Sequence, residues 1–229
     1  MKQIFGLVPA GGTGTRMGAD RPKQYLSLGP RTLLERSVAC LLADARVTRV
    51  FAVVAPGDTQ AARLPLPERC EILPLGGATR ALTVRAGLLA AMARIGPDAW
   101  VLVHDAARPC LRAGDLAALI DQGGADEHGA LLAVPVSDTV KRCEDGRVAQ
   151  TVERAGLWRA LTPQFFRADI LARALENCET AQGITDESSA VERLGLRPRL
   201  VAGDPGNIKI TEPADLGLAE SLLRSEGLW

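Results

Sequence analysis

Aromatic residues and histidine are scarce in this 229-residue sequence, which contains three Trp, one Tyr, four Phe and only two His. The hydrophobic core must therefore consist mainly of Leu, Val, Ala and Ile. The five cysteines are odd in number, and none of them forms a Cys-x-x-Cys pair. These absences argue against a structural zinc site and a disulfide framework, and free thiols are typical of a reducing cytosol. The cysteines are Cys40, Cys70, Cys110, Cys143 and Cys178.

The sequence also has no excess of positive or negative charge. Lys and Arg together number 27, and Asp and Glu together number 27, so no bulk field favours nucleic acid or an anionic membrane. No apolar run reaches the length of a membrane span, and we see no signal peptide. We therefore expect a cytoplasmic protein without nucleic-acid or membrane partners. The length, with no repeats or linkers, predicts one domain over residues 1–229.

The sequence does contain a regular alternation of short apolar runs and amphipathic stretches. This alternation predicts an α/β fold with a doubly wound, mainly parallel sheet, whose ligands bind beyond the carboxyl ends of the strands. Strands are predicted at 3–8, 50–54, 71–75, 100–103, 129–135, 199–202 and 207–210. Helices are predicted at 33–42, 79–94, 113–121, 168–177, 188–194 and 213–223, with a shorter one from Asp58.

Two local patterns add detail to this plan. Thr32 and Glu35 have the spacing of a capping box, which predicts the start of the first helix at Leu33. Residues 139–143 and 147–152 flank a turn at 144–146 and predict a β-hairpin, which is too polar to belong to the core. The hairpin, within about 137–158, is equally consistent with a plain edge hairpin and with an arm that reaches another subunit.

The loop after the first strand, residues 9–18, is rich in glycine and is followed by Lys23. Glycines allow backbone N–H groups to converge on an anion, and Arg16 and Lys23 can reach phosphate oxygens. The loop fits neither the dinucleotide fingerprint, because the spacing after Gly14 is one residue too long, nor a P-loop, which ends in Gly-Lys-Ser/Thr. It indicates a phosphate cradle of another kind. The loops at 76–80 and 104–109 are expected at the same edge of the sheet.

Seven ordered motifs resemble those of one enzyme family, the 2-C-methyl-D-erythritol 4-phosphate cytidylyltransferases, over nearly the whole chain. They are PAGGxGxRM at 9–17 with PKQYL at 22–26, GGxxR at 76–80, HDAARP at 104–109, DTVK at 138–141, LTPQF at 161–165, TDE at 185–187 and NIKIT at 207–211.

This resemblance implies a Rossmann-like nucleotidyltransferase fold with a protruding β-hairpin arm. It implies an enzyme that joins CTP to a small sugar-alcohol phosphate, methylerythritol phosphate, and releases pyrophosphate, in the non-mevalonate route to isoprenoid precursors. It also implies Mg²⁺, or another divalent cation, on the triphosphate and a homodimer whose hairpin arms embrace. Since the substrate phosphate is already a nucleophile, catalysis is expected to rest on positioning and electrostatics.

The resemblance also implies the roles of individual residues. Catalysis is assigned to Arg16, Lys23, Arg154 and Lys209, with Arg154 coming from the partner's arm. Nucleotide binding is assigned to Ala10, Gly11, Gly12, Gly77, Thr83, Asp105 and Ala107. Binding of the second substrate is assigned to Asp105, Arg108, Thr139, Arg154, Thr162, Thr185 and Lys209. No residue is assigned as a direct metal ligand, although Asp105 is a candidate. We interpret His104 as a structural residue that ties a loop, and His128 as a surface residue.

Three other functions fit parts of the sequence. The same chemistry on ribitol 5-phosphate is the nearest, and Ala106-Ala107 favours methylerythritol phosphate over it. A nucleotide-binding regulator without turnover is disfavoured because Arg16 and Lys23 are both present. An NAD-dependent oxidoreductase is disfavoured by the loop spacing and by the lack of an acidic residue after the second strand, at 53–56.

Overall fold

A seven-stranded sheet forms the centre of the computed structural model, which describes residues 3–12, 21–178 and 183–229. Two short two-stranded sheets lie outside it. The strands are β1 (Ile4–Ala10), β2 (Ser27–Leu28), β3 (Arg31–Thr32), β4 (Val47–Val54), β5 (Cys70–Leu73), β6 (Trp100–Val103), β7 (Ala130–Pro135), β8 (Val140–Glu144), β9 (Arg147–Val152), β10 (Trp158–Arg167) and β11 (Arg199–Ala202).

The large sheet has the strand order β11–β7–β10–β6–β1–β4–β5. All neighbouring pairs are parallel except those of β10, which runs antiparallel to both β6 and β7. This topology confirms the predicted doubly wound, mainly parallel α/β fold. Because β1, β4 and β6 are parallel, their carboxyl ends lie at one edge, and the loops that follow them meet there.

Helices cover both faces of the sheet, as the alternation along β1 requires. They are α1 (Leu33–Leu42), α2 (Arg80–Ile95), α3 (Ala113–Gly124), α4 (Ala168–Ala174), α5 (Glu187–Glu192) and α6 (Pro213–Ser225). Val8 packs on one face with α1 and α3, whereas Phe5 and Leu7 pack on the other face with α2, α4 and α5. Successive side chains of a strand point to opposite faces, so a strand with apolar residues at every position is buried on both sides.

The predicted start of α1 is confirmed. The Thr32 hydroxyl accepts a hydrogen bond from the Glu35 N–H at 3.2 Å, and the Glu35 carboxylate accepts one from the Thr32 N–H at 2.8 Å. Such a capping box satisfies two backbone donors that a helix start would otherwise leave without partners.

The prediction of a strand at 207–210 is wrong. Its N–H groups do not join a sheet: Asn207 donates to Asp204, Ile208 to Gly206, and Ile210 to the Ala107 carbonyl at 2.8 Å. The segment therefore packs against the loop after β6. The helix predicted from Asp58 is also shorter than expected, being a single 3-10 turn at Ala61–Arg63.

The hairpin of β8 and β9 is present and exposed. It forms its own two-stranded sheet, and residues 141–151 are all exposed, in agreement with their polar sequence. Among the described residues, none of the helices has the length and apolar character needed to cross a membrane.

Candidate active site

A pocket of about 500 Å³ opens at the carboxyl edge of the sheet. It lies where the ends of β1 and β6 meet the loop before α2 and the segment after β11. Nine residues that were predicted to bind or react line it together: Ala10, Gly11, Gly12, Lys23, Gly77, Thr83, Asp105, Ala107 and Lys209.

The glycines of this pocket allow two loops to approach each other closely. A Cβ atom on Gly11 would lie 3.1 Å from the Gly76 Cα, and one on Gly77 would lie 2.6 Å from the Leu82 Cβ. The Thr83 hydroxyl accepts a hydrogen bond from the Gly77 N–H at 3.0 Å and donates to the Thr79 carbonyl at 3.0 Å. Thr83 thus holds the backbone of the loop before α2, which lines one side of the pocket, in a defined conformation.

Lys23 lies in a 3-10 turn, Lys23–Tyr25, whose side chains contact three different parts of the chain. The Lys23 Nζ donates to the Ile210 carbonyl at 2.8 Å. The Gln24 amide donates to the Ala10 carbonyl at 2.7 Å, and the Tyr25 hydroxyl donates to Asp58 at 2.5 Å. These contacts hold the Lys23 ammonium group beside the pocket.

Asp105 is the centre of a network of charges. One of its oxygens pairs with Arg80 Nε at 2.9 Å, and the other pairs with Lys209 Nζ at 2.8 Å. Arg108 Nε lies 3.7 Å from the same carboxylate. Burial alone would raise the pKa of Asp105, but the neighbouring cations outweigh it and hold the pKa of that carboxyl well below its usual value.

Arg80 extends this network to α5. Its guanidinium group forms two hydrogen bonds with the Glu187 carboxylate, at 2.6 and 3.1 Å, in addition to its bond with Asp105. Burial opposes the charged form of Arg80, yet the two carboxylates raise the pKa of Arg80 above its ordinary value. Arg80 and Glu187 were not among the predicted site residues, although both stand in motifs that the family resemblance includes.

His104 ties the loop after β6, as predicted. Its Nε2–H donates to the Arg108 carbonyl at 3.0 Å, and its Nδ1 accepts from the Thr162 hydroxyl at 3.0 Å. The Thr162 oxygen in turn accepts from the Asp105 N–H at 3.0 Å. Complete burial of the ring lowers the pKa of His104 to about 4, so the imidazole is neutral at physiological pH.

Arg108 and Asn207 connect this loop to the segment before α6. Arg108 Nη1 donates to the Asn207 carbonyl at 2.6 Å, and the Asn207 amide donates to the Thr162 carbonyl at 2.8 Å. Arg108 is 9% exposed, and its buried Nε has no hydrogen-bond partner among the described residues. Burial lowers the pKa of Arg108.

Four cations and two carboxylates therefore converge around the described pocket. The cations are Lys23, Arg80, Arg108 and Lys209, and the carboxylates are those of Asp105 and Glu187. The net charge of this group is +2, and no histidine, cysteine or serine nucleophile is paired with a base among them. Such a site suits a reaction that brings two anions together, because fixed cations offset the repulsion between them.

Comparison with known proteins agrees with this chemistry. The family model described as 2-C-methyl-D-erythritol 4-phosphate cytidylyltransferase matches residues 4–225. This chain belongs to that family. A cytidylyltransferase of the same name from Laribacter hongkongensis is 55% identical over 226 residues, which cover 97% of each chain.

Solved structures of the family have the same fold as this chain. A crystal structure of a 4-diphosphocytidyl-2C-methyl-D-erythritol synthase superposes with a TM-score of 0.83 at 41% identity, covering 97% of this chain and 99% of that one. The 2-C-methyl-D-erythritol 4-phosphate cytidylyltransferase of Francisella tularensis superposes with a TM-score of 0.83 at 31% identity, covering 97% and 100%.

Four further predicted residues of this cytidylyltransferase family member are described by the structure and do not line the pocket: Thr139, Arg154, Thr162 and Thr185. Thr162 is buried and uses its hydroxyl within the loop after β6. Thr139, Arg154 and Thr185 are exposed; Arg154 donates to the Ser137 carbonyl at the base of the hairpin, and the Thr185 N–H donates to the Ser189 hydroxyl. Arg16 lies outside the described residues.

Proposed function

We propose that this chain joins CTP to 2-C-methyl-D-erythritol 4-phosphate and releases pyrophosphate, the reaction for which its family is named. The observation that carries the proposal is the meeting of Lys23, Asp105 and Lys209 in one pocket at the end of a glycine loop. These residues come from three separate stretches of the sequence, and each stands in a motif of the family. The product is 4-diphosphocytidyl-2-C-methyl-D-erythritol, a non-mevalonate isoprenoid intermediate.

The bond changes need no general base. An oxygen of the methylerythritol phosphate attacks the α-phosphorus of CTP, a new P–O bond forms, and the bond from that phosphorus to the pyrophosphate oxygen breaks. Backbone amides at 10–12 hold CTP, and Lys23 stabilises the charge that grows on the leaving pyrophosphate. Lys209 and Asp105 position the second substrate, with Arg80 and Arg108 keeping Asp105 ionised.

A divalent cation fits this site as part of the CTP complex rather than as a resident ion. Among the described residues, no group of three His, Cys, Asp or Glu side chains could hold a metal ion. Asp105 is the one carboxylate in the described lining, and both its oxygens are in ion pairs. Mg²⁺ commonly binds through substrate phosphates with one or two carboxylates, so Asp105 would be its protein ligand. When bound, Mg²⁺ offsets the negative charge of the triphosphate.

We further propose a homodimer in which the hairpin of one subunit supplies Arg154 to the site of the other. The support is that Arg154 and Thr139 are exposed at the base of an exposed hairpin, outside the pocket lining of their own chain. Arg16 is assigned to the triphosphate by the family resemblance. Thr185 precedes α5, whose Glu187 contacts Arg80, and is proposed to contact the second substrate. The free thiols are consistent with action in the cytoplasm.

The test is pyrophosphate release from CTP and Mg²⁺ with each of two acceptors, methylerythritol phosphate and ribitol 5-phosphate. We expect release with the first and little with the second. In Lys23→Ala, the rate should fall by about 100-fold, the scale of one lost transition-state contact. Arg49→Ala is the control: Arg49 is exposed on β4 and pairs with Glu71, outside the pocket lining, and its removal should leave the rate unchanged.

Other outcomes would lead to different conclusions. Release with ribitol 5-phosphate alone would keep the mechanism and reject the substrate. CTP binding without release from either acceptor would favour a nucleotide-binding protein without turnover.

A further inference from the structure

The peptide bond between Ala10 and Gly11 joins the end of β1 to the glycine loop of the pocket. Its carbonyl, on Ala10, accepts a hydrogen bond from the Gln24 side-chain amide at 2.7 Å. Gln24 is 6% exposed and lines the pocket with both of these residues. A buried glutamine with its amide on this carbonyl fixes the orientation of the whole peptide plane.

The orientation of one carbonyl determines that of the next N–H. In a trans peptide, the C=O of one residue and the N–H of the following residue point in opposite directions. The one cis peptide among the described residues is Thr162–Pro163, so the Ala10–Gly11 peptide is trans. Gln24, together with the pairing of Ala10 with Val54 of β4, therefore determines where the Gly11 N–H points.

A second contact restrains the other side of Gly11. A Cβ on this residue would come within 3.1 Å of the Gly76 Cα and 3.4 Å of the Thr83 hydroxyl oxygen. The backbone of the loop before α2 thus lies directly against Gly11. Gly11 is held between Gln24, through the preceding carbonyl, and Gly76, which leaves its amide little freedom to turn.

Gln24 is itself held in place. Its neighbours in the 3-10 turn bond to distant segments: Lys23 donates to the Ile210 carbonyl and Tyr25 donates to Asp58. Tyr25 is 2% exposed. Gln24 is the middle residue of the turn, and the residues before and after it are both held by hydrogen bonds. A rigid supporting residue is what pre-organisation of a backbone donor requires.

We propose that Gln24 is a positioning residue for nucleotide binding, which orients the Gly11 N–H toward CTP through the Ala10 carbonyl. This inference rests on the proposed function, since it takes CTP as the ligand of the loop. Gln24 does not react with either substrate in this scheme. Its loss should weaken CTP binding and leave the affinity for the second substrate nearly unchanged.

The first experiment measures the affinity for Mg²⁺–CTP by calorimetric titration in the wild type and in Gln24→Met. Methionine has a similar size but cannot donate to the Ala10 carbonyl. We expect the Kd for CTP to rise about 10-fold, the scale of one hydrogen bond to a charged group. The KM for methylerythritol phosphate at saturating CTP should stay within about twofold, because its proposed contacts lie at Lys209 and Asp105.

Tyr25→Phe is the matched control, because it loosens the same turn without removing the Gln24 amide. The variant loses the hydrogen bond to Asp58 and should unfold at a lower temperature, but its Kd for CTP should rise much less than that of Gln24→Met, because the Gln24 amide is still present. An unchanged CTP affinity in Gln24→Met would overturn the inference. An equal loss in Tyr25→Phe would overturn it too, since general loosening would then be the cause.

A spectroscopic test reports on the Gly11 amide directly and does not depend on a variant that folds. In protein labelled with ¹³C on alanine carbonyls and ¹⁵N on glycine, only glycines that follow an alanine give cross-peaks in a carbonyl-correlated NMR spectrum. There are five such pairs in the sequence: Ala10-Gly11, Ala86-Gly87, Ala113-Gly114, Ala155-Gly156 and Ala202-Gly203.

We expect Mg²⁺–CTP to shift the Gly11 peak of the wild type far more than the other four. In Gln24→Met, that peak should already be displaced without CTP and should respond less to it. A Gly11 peak that ignores CTP in a wild-type enzyme with normal turnover would reject the inference while leaving the proposed function intact. A wild type that neither binds CTP nor releases pyrophosphate would reject both.

Discussion

The Asp105 carboxylate lies among three cations, and its environment shows how this site is tuned at the scale of single residues. Arg80 and Lys209 take one oxygen each, and Arg108 stands 3.7 Å away. The Lys209 side chain is 41% exposed, which would allow its ammonium group to turn from Asp105 to the phosphate of the proposed substrate. Arg80 is held from behind by the Glu187 carboxylate, which accepts two hydrogen bonds from its guanidinium group.

The first prediction concerns the two-sided role of Arg80. In Arg80→Lys, the charge remains, but one ammonium group cannot reproduce the planar fork that bonds Asp105 and Glu187 together. We expect kcat/KM to fall about 10-fold and the free energy of unfolding to fall by about 2 kcal/mol, because Glu187 is buried. Arg94→Lys is the control, since Arg94 pairs with Glu71 at the surface and should cost no more than about 0.5 kcal/mol. Equal effects of the two substitutions would contradict this role.

The second prediction is a loss of stability in mild acid that depends on His104. The pKa of its ring is about 4 in the folded chain against 6.5 for an ordinary histidine, so the unfolded chain takes up the proton first. The free energy of unfolding should therefore be greatest above pH 6.5, fall as the pH is lowered, and have lost about 3 kcal/mol near pH 4.

Urea denaturation at a series of pH values measures this slope. His104→Gln should be less stable at pH 7.5 but should lose little further stability from this source between pH 6.5 and 4.5. A slope that survives in His104→Gln would assign the acid sensitivity to other groups.

At the scale of elements, α1 illustrates a helix whose start is set locally. The third prediction is that Thr32→Ala, which removes one half of the capping box, costs about 1 kcal/mol in the free energy of unfolding. The rate of pyrophosphate release should be unchanged, because Thr32 is not in the pocket lining. Thermal denaturation and the release assay check the two parts. Both measurements are compared with those of Thr48→Ala, which removes the hydroxyl of a threonine on β4 that donates to the Ile4 carbonyl and caps no helix.

The loop after β6 and the segment before α6 behave as one element, although they lie far apart in the sequence. Ile210 donates its N–H to Ala107, and Arg108 donates to the Asn207 carbonyl. Asn207 also reaches the Thr162 carbonyl on β10. This packing places Lys209 beside Asp105, so the geometry of the pocket depends on contacts between loops rather than on strand pairing.

At the scale of the whole molecule, the proposed dimer makes a prediction about mixed subunits. If Arg154 acts in the partner's site, then Lys23→Ala and Arg154→Ala subunits can complement each other, because one site of each mixed dimer contains both wild-type residues. Coexpression of the two variants should restore about a quarter of wild-type activity, since half the dimers are mixed and each has one intact site. Activity is measured as pyrophosphate release per subunit.

The control for that experiment pairs two residues that line the pocket of one chain. Coexpression of Lys23→Ala with Lys209→Ala should restore nothing, because every site in every dimer lacks one of the two lysines. Rescue in both mixtures, or in neither, would contradict the proposed contribution of Arg154 across the interface. Sedimentation velocity of the wild type establishes whether dimers are present.

The sequence by itself was sufficient for most of the elements and for their general arrangement. Apolar runs such as 50–54 and 100–103 became buried parallel strands, and the capping box at Thr32 began α1, because strand burial and helix capping depend on residues close together in the chain. The glycine loop, Lys23, Asp105 and Lys209 could be selected in advance because each stands in a short motif. The pocket confirms that the described members of this set lie together.

Tertiary structure decided the contacts that join these motifs. No local pattern links Arg80 to Glu187, Gln24 to Ala10 or Ile210 to Ala107, since each pair forms only when the sheet has brought separate loops to one edge. The same reason explains the wrong strand at 207–210. Its residues favour an extended backbone, which periodicity can predict, but whether that backbone pairs with a strand or with a loop depends on which neighbour the fold places beside it.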